Sequence, residues 1–208
     1  MNDEHRADHL RVDRYGDFLL TEAVRPAAHL PVVPREGYRL DVFRDAKARI
    51  EVPALIAAVS REKLFSVFLS LLEPLGPVVD VVLETSHESA VGKHVDLVRE
   101  QIDLPVLMSY LYDFEDLLLN DGCTGIAVIS AAGPIEVQFD EHKLLVVYAQ
   151  DIVPFEEILL QEGVRRLDQM KLLSEGEHLH STGPDHLDQF DQLACRLGVS
   201  ETAEQVRW

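Results

Sequence analysis

The sequence predicts an α+β fold: a mixed sheet of roughly five strands with a C-terminal three-stranded antiparallel meander, and helices mainly on one face. A ferredoxin-like or related two-layer sandwich is the nearest familiar layout. Three observations predict it. Residues 121–149 divide into three β-type runs separated by short turns. Leu64, Phe68, Leu71, Leu72 and Leu75 recur with helical spacing. Strand-like and helix-like segments then alternate without any internal repeat, in the order β-α-β-(α)-α-β-β-β-α-α.

The meander is the best-defined part. Gly125–Ala131 is apolar and rich in Ile and Val, and Ala132-Gly133 follows as a turn. Ile135–Asp140 alternates strictly, with Ile135, Val137 and Phe139 on one face and Glu136, Gln138 and Asp140 on the other. Asp140–Lys143 is a connection of hairpin length, and Leu144–Tyr148 is apolar on both faces.

Residues 1–37 read as an extended N-terminal arm and 38–208 as one domain. Charges alternate in sign along the arm, and Pro26, Pro31 and Pro34 break any long helix. Tyr38–Phe43 reads as the first strand, and Pro53 as a place for a helical region to begin. A firm helix starts at Leu64, and Pro74 and Gly76-Pro77 end it. Val78–Leu83 is a central strand, completing a βαβ unit. Residues 85–101 form a polar connection with a short helix from Lys93. A long helix spans about 104–120, with Gly122 as its C-cap. Asp151 and Pro154 open another helix, in which Arg165, Arg166 and Lys171 complement the dipole. Residues 174–184 are a break, and Leu187, Phe190, Ala194 and Leu197 define a last helix closed by Gly198.

The formal net charge is −18. Residues 1–52 hold ten acids and nine bases, which leaves 27 acids and 10 bases in residues 53–208. A body so poor in clustered Lys and Arg disfavours a phosphate backbone as partner, so no nucleic-acid binding is expected. No run of apolar residues reaches the length of a membrane span, so no membrane partner is expected either. The N-terminus is polar and unlike a secretory signal, and the two cysteines lack disulfide or metal-site spacing. A cytoplasmic setting follows as the expectation. The arginines of the arm suggest docking on the acidic body, in the same subunit or in a twin.

Candidate chemistry lies in two histidine-bearing stretches. His178 and His180 flank one residue, a spacing that points both rings to the same side of an extended segment, and His186 and Asp185 follow closely. These four are the candidate metal ligands. His87 and His94, with Glu88 and Asp96, form a second group after the central strand. Cys123 reads as a buried, inert thiol that would need His87 or His142 beside it to react. Asp113–Asp116 with Asp121 reads as a solvated acidic face. Ser60–Lys63 matches Ser-x-x-Lys without its companion motifs, a chance match. No cofactor fingerprint is present, so a divalent metal is the one cofactor in view.

Two functions fit. The first is a non-enzymatic binding or adaptor module that engages a protein partner or self-associates as a homo-oligomer. The alternative is a metal-dependent enzyme of hydrolase type using the region of His178, His180 and His186.

Overall fold

Alternation of apolar and polar residues along successive strands leaves one face of a sheet needing cover, and the amphipathic helices supply it. The computed structural model describes residues 11–27, 32–45, 50–87 and 95–201. His94, Glu88, Lys93, Pro31 and the first ten residues of the arm lie outside the described residues.

The arm forms β1 (Arg14–Tyr15), β2 (Phe18–Leu19) and β3 (Val24–Pro26). The body then runs through β4 (Gly37–Asp45), β5 (Ile50–Ala58), α1 (Arg61–Leu72), β6 (Val78–Thr85), β7 (Val95–Asp103), α2 (Leu104–Asp113) and α3 (Glu115–Asn120). It closes with β8 (Thr124–Ser130), β9 (Glu136–Phe139), β10 (Leu144–Tyr148), α4 (Val153–Gln161), β11 (His178–His180), α5 (His186–Leu197) and β12 (Ser200–Glu201).

Among the described residues, the main sheet has eight strands in the order β12-β7-β6-β8-β9-β10-β5-β4, and β12 is only two residues long. Every pairing in it is antiparallel. The expected meander forms as β8-β9-β10. One core joins inward-facing strand residues such as Leu55, Val81, Leu83, Val128, Phe139 and Leu145 to residues of each of the α-helices α1 to α5 among the described residues. Phe68 of α1 is fully buried and meets the edge of the Phe139 ring, with centroids 5.2 Å apart. Ala58 and Leu144 face the opposite way, and the arm covers them there with Phe18 and Leu20, beside Met170 and Leu172.

The structure corrects several expectations. The sheet is antiparallel with eight strands, where a mixed sheet of about five was expected, and its order does not confirm a ferredoxin-like layout. Pro53 lies inside β5, not at a helix start. Its carbonyl accepts the Ala149 N–H at 3.2 Å just past the end of β10, so its missing N–H faces the same side, where no ladder partner continues. The polar stretch 95–103 is β7, paired with β6 through a bulge between Val79 and Val81. Gln101 takes positive φ there, and its N–H donates to Asp80 Oδ1 at 2.8 Å. That shift of register, with the strand's largely exposed side chains, blurred its period. The long helix breaks at Phe114 into α2 and α3. α4 stops at Gln161, because Gly163 turns left-handed and Val164 N–H bonds back to Leu159 O. Arg165, Arg166 and Lys171 therefore lie beyond the helix, where Tyr38 brackets the chain through Arg165 O and Leu167 N–H.

Candidate functional site

The site is assembled where the arm crosses the body. β3 pairs with β11 in the register Val24–His180, Arg25–Leu179 and Pro26–His178. The extended conformation of β11 brings the His178 and His180 rings to one side. Just beneath, Gly122 N–H donates to Ser181 O at 2.8 Å, and Ser181 N–H donates to Ala23 O at 2.7 Å. Gly122 is not a helix cap. A Cβ at this position would sit 2.5 Å from Ala23 O and 2.8 Å from Ser181 O, so glycine is needed for the close approach of three backbone segments.

The third ring comes from the β9–β10 turn. Asp140 shapes that turn through its backbone and side chain, taking Leu144 N–H on Oδ1 at 2.8 Å. Lys143 adopts φ 62°, which sends its side chain inward. His142 is left facing β11. The ring centroids of His142, His178 and His180 lie 4.8, 4.8 and 5.1 Å apart. One ring nitrogen from each lies within 4.8 Å of those of the other two.

Each Nδ1 is already engaged. His180 Nδ1 donates to Gly122 O at 2.6 Å, His178 Nδ1 to Gly176 O at 2.7 Å, and His142 Nδ1 to Asp140 Oδ2 at 3.2 Å. Backbone carbonyls and a carboxylate can only accept, so Nδ1 carries a proton, and in the neutral ring Nε2 presents a lone pair. A metal-ligating histidine is held in the same way, its second nitrogen donating to a carbonyl or carboxylate. Burial works against charge on His142, yet the hydrogen bond and charge of Asp140 outweigh it and hold its pKa above the usual value. His180 goes the other way. Burial lowers its pKa, and His142 and His178 add to this, against the opposing carbonyl of Gly122.

A second cluster surrounds Asp121, which is fully buried and not part of a solvated acidic face. Its Oδ2 accepts the Thr124 hydroxyl at 2.5 Å and lies 3.0 Å from His87 Nε2. Its Oδ1 accepts Cys123 N–H at 3.3 Å and lies 3.6 Å from His186 Nδ1. Ligand atoms of His87, Asp121 and Cys123 all fall within 4.8 Å of one another. Burial pushes the Cys123 thiol above its usual pKa. Asp121 and Glu141 reinforce the shift, and the Ser86 hydroxyl only partly offsets it, so the geometry does not prepare a thiolate nucleophile. Lys143 is buried with Nζ on Thr124 O at 2.9 Å and over the Phe139 ring, and burial lowers its pKa to about 8.

The predicted ligand set thus divides. His178 and His180 stand together with His142. His186 belongs to the Asp121 cluster, where its Nδ1 accepts Gly183 N–H at 2.8 Å and its ring packs under that glycine. Asp185 is exposed at the start of α5 and belongs to neither group. His87 and His186, from different predicted clusters, both reach Asp121. Ser60 and Lys63 are used structurally: Ser60 Oγ accepts Leu19 N–H, and Lys63 pairs with Glu36 and with Glu162 O. His142 as a metal ligand, Asp121 and Lys143 were missed. The one signal for them was the polar turn that places His142-Lys143 directly before a fully apolar strand.

No family model matches the chain, and neither a curated protein nor a solved structure matches it.

Proposed function

We propose that this protein is a metal-dependent enzyme of hydrolytic type whose centre is His142, His178 and His180. The observation that carries the reading is the convergence of three imidazoles, each with Nδ1 spent on a fixed acceptor. Neutral imidazoles gathered this closely, with each Nδ1 spent, keep their Nε2 lone pairs in one neighbourhood, where a cation between them would be favourable. Zinc suits three neutral imidazoles. At a Zn–N distance of about 2.0–2.1 Å the nitrogens of a tetrahedral site stand about 3.3 Å apart, a modest contraction from the present spacing. Such a site leaves one position for water, and bound zinc lowers the pKa of that water to about 7. His180 is exposed and the other two rings are half-buried, so the open side faces solvent. Beside His142 a recess between arm and body is lined by Phe18, Leu20, Arg35, Lys143 and Lys171. Its exposed cations, Arg35 and Lys171, in a chain of net charge −18, suit a substrate with an anionic group and an apolar part.

A binding or self-associating module is the second reading, and it rests on the sheet edge. Among the described residues β4 ends the main sheet, with the 165–167 segment bonded to it at Tyr38, and its exposed Val42 and Phe43 lie further along, a surface for pairing with another strand. Sedimentation showing a monomer at all concentrations would remove that support.

The test of the first reading is calorimetric zinc titration of chelator-stripped protein, followed by hydrolysis of a panel of esters and phosphoesters. A ligand at a hundred times its dissociation constant stabilises by about 2.7 kcal/mol, a rise of roughly 5–11 °C for a chain of this size. The rise is expected to disappear in His180→Ala. An unchanged melting temperature with zinc overturns the centre. Binding without hydrolysis of any class leaves the centre standing and overturns the enzyme.

A further inference from the structure

We propose that His87, Asp121 and Cys123 form a second cation site, softer than the trihistidine centre and separate from it in its ligands. Its signature is an orphaned nitrogen. The His87 side chain is 5 % exposed, and its Nε2 is shut off from solvent without a hydrogen bond, although Asp121 Oδ2 lies only 3.0 Å away. The contact falls off the direction in which a ring N–H would donate. Thr85 Oγ1 accepts the His87 backbone N–H at 3.2 Å and faces Nδ1 at 2.7 Å. With the Nδ1 proton donated to that oxygen, Nε2 keeps an unpartnered lone pair beside a fully buried carboxylate. A buried lone pair against a buried anion is unfavourable, and a cation between them reverses the sign of the interaction.

The remaining parts fit such an ion. Asp121 is held by the Thr124 hydroxyl and the Cys123 N–H, the outer hydrogen bonds that fix a ligating carboxylate. The Cys123 Sγ completes the triangle within 4.8 Å. Thiolate, carboxylate and imidazole together select a borderline-soft divalent metal such as zinc, with cobalt as its spectroscopic stand-in. As the sulfur–metal bond forms, the thiol proton passes to solvent, and thiolate plus carboxylate balance the two positive charges. Gly122, between Asp121 and Cys123, gives its carbonyl to His180 Nδ1 at 2.6 Å. One tripeptide therefore braces both sites, and filling one site orders the ligands of the other.

The experiment is titration of the chelator-stripped full chain with cobalt alone, read by stoichiometry and by thiolate-to-cobalt charge-transfer absorption. Two equivalents and a charge-transfer band are expected. His178→Ala combined with His180→Ala is expected to keep one equivalent and the band. Cys123→Ser, and in parallel His87→Gln, are expected to lose one equivalent, and Cys123→Ser to lose the band. Cys195→Ser, at an exposed position on α5, is expected to change neither. Circular dichroism of each variant reports the fold. A parent with no thiolate band at saturating cobalt overturns this site while leaving the trihistidine centre intact. A band that survives Cys123→Ser overturns it as well. A single equivalent that carries the band and survives the paired histidine variant supports this site and overturns the trihistidine centre.

Discussion

Replacing Gly122 by alanine tests the tertiary contact on which the candidate site rests. The added methyl would stand 2.5 Å from Ala23 O, 2.8 Å from Ser181 O and 2.9 Å from Ser181 N, and all three are backbone atoms. Relief to ordinary contact needs movements of roughly 0.5–0.9 Å in β3, in the segment after β11, or in the Asp121–Cys123 turn. Overpacking of this kind costs about 1–3 kcal/mol. The Gly122–Ser181 and Ser181–Ala23 hydrogen bonds lie in the path of the shift, and losing one adds about 0.5–1.5 kcal/mol. A central value of about 3 kcal/mol corresponds to a fall of roughly 6–12 °C in melting temperature for a chain of this length. The same displacement moves the carbonyl that holds His180, so zinc affinity falls with stability. Gly133→Ala is the control: no atom lies within 4 Å of its Cβ and its backbone angles are ordinary, so stability stays within about 0.5 kcal/mol of the parent. Thermal melting by circular dichroism, with and without zinc, reads both variants. A Gly122→Ala protein that melts within a degree of the parent and binds zinc equally well refutes the reasoning.

Three further outcomes are expected. Removing residues 1–34 strips Phe18, Leu20 and Val24 from buried positions and leaves β11 without its partner strand. Each such side chain contributes about 1.5–3 kcal/mol, so the truncated chain should melt well below the parent and lose zinc binding, and an unchanged melt or titration contradicts the docking of the arm. Phe68→Ala, in the centre of the helix-to-sheet core, should cost about 3–5 kcal/mol by denaturant unfolding, and a cost below about 1 kcal/mol would place that ring outside a close-packed core. Burial works against the Glu175 carboxylate, but the Leu172 N–H at 2.7 Å and Arg39 at 2.8 Å hold its pKa below the usual value. A lowered folded pKa contributes stability above the ordinary glutamate value of about 4.3, lost as pH falls through the folded pKa. Glu175→Gln should therefore melt lower than the parent at neutral pH, with the gap closing in acid, and a gap that widens in acid reverses the assignment.

The parts of the fold that were legible in the sequence are those in which one segment carries its own period. β8, β9 and β10 announced themselves by alternation and turns, α1 by its apolar stripe, and α5 by its stripe and the Gly198 cap in the left-handed region. β5 and β7 did not. A proline tolerated at the end of a ladder and a bulge that shifts register are decided by the neighbouring strand, and the neighbour is absent from local pattern. The count of strands and their uniformly antiparallel order were likewise settled by tertiary pairing. The site divides in the same way. His-x-His on an extended segment was enough to place two rings side by side, because a strand's side-chain period is a local property. That His142 joins them, that His186 turns instead to Asp121, and that an aspartate after a helix is fully buried depend on which loops meet across the sheet. Local sequence determines where a side chain points along its own element. Only the packing of distant segments, here 23, 122, 142 and 181, decides what it points at.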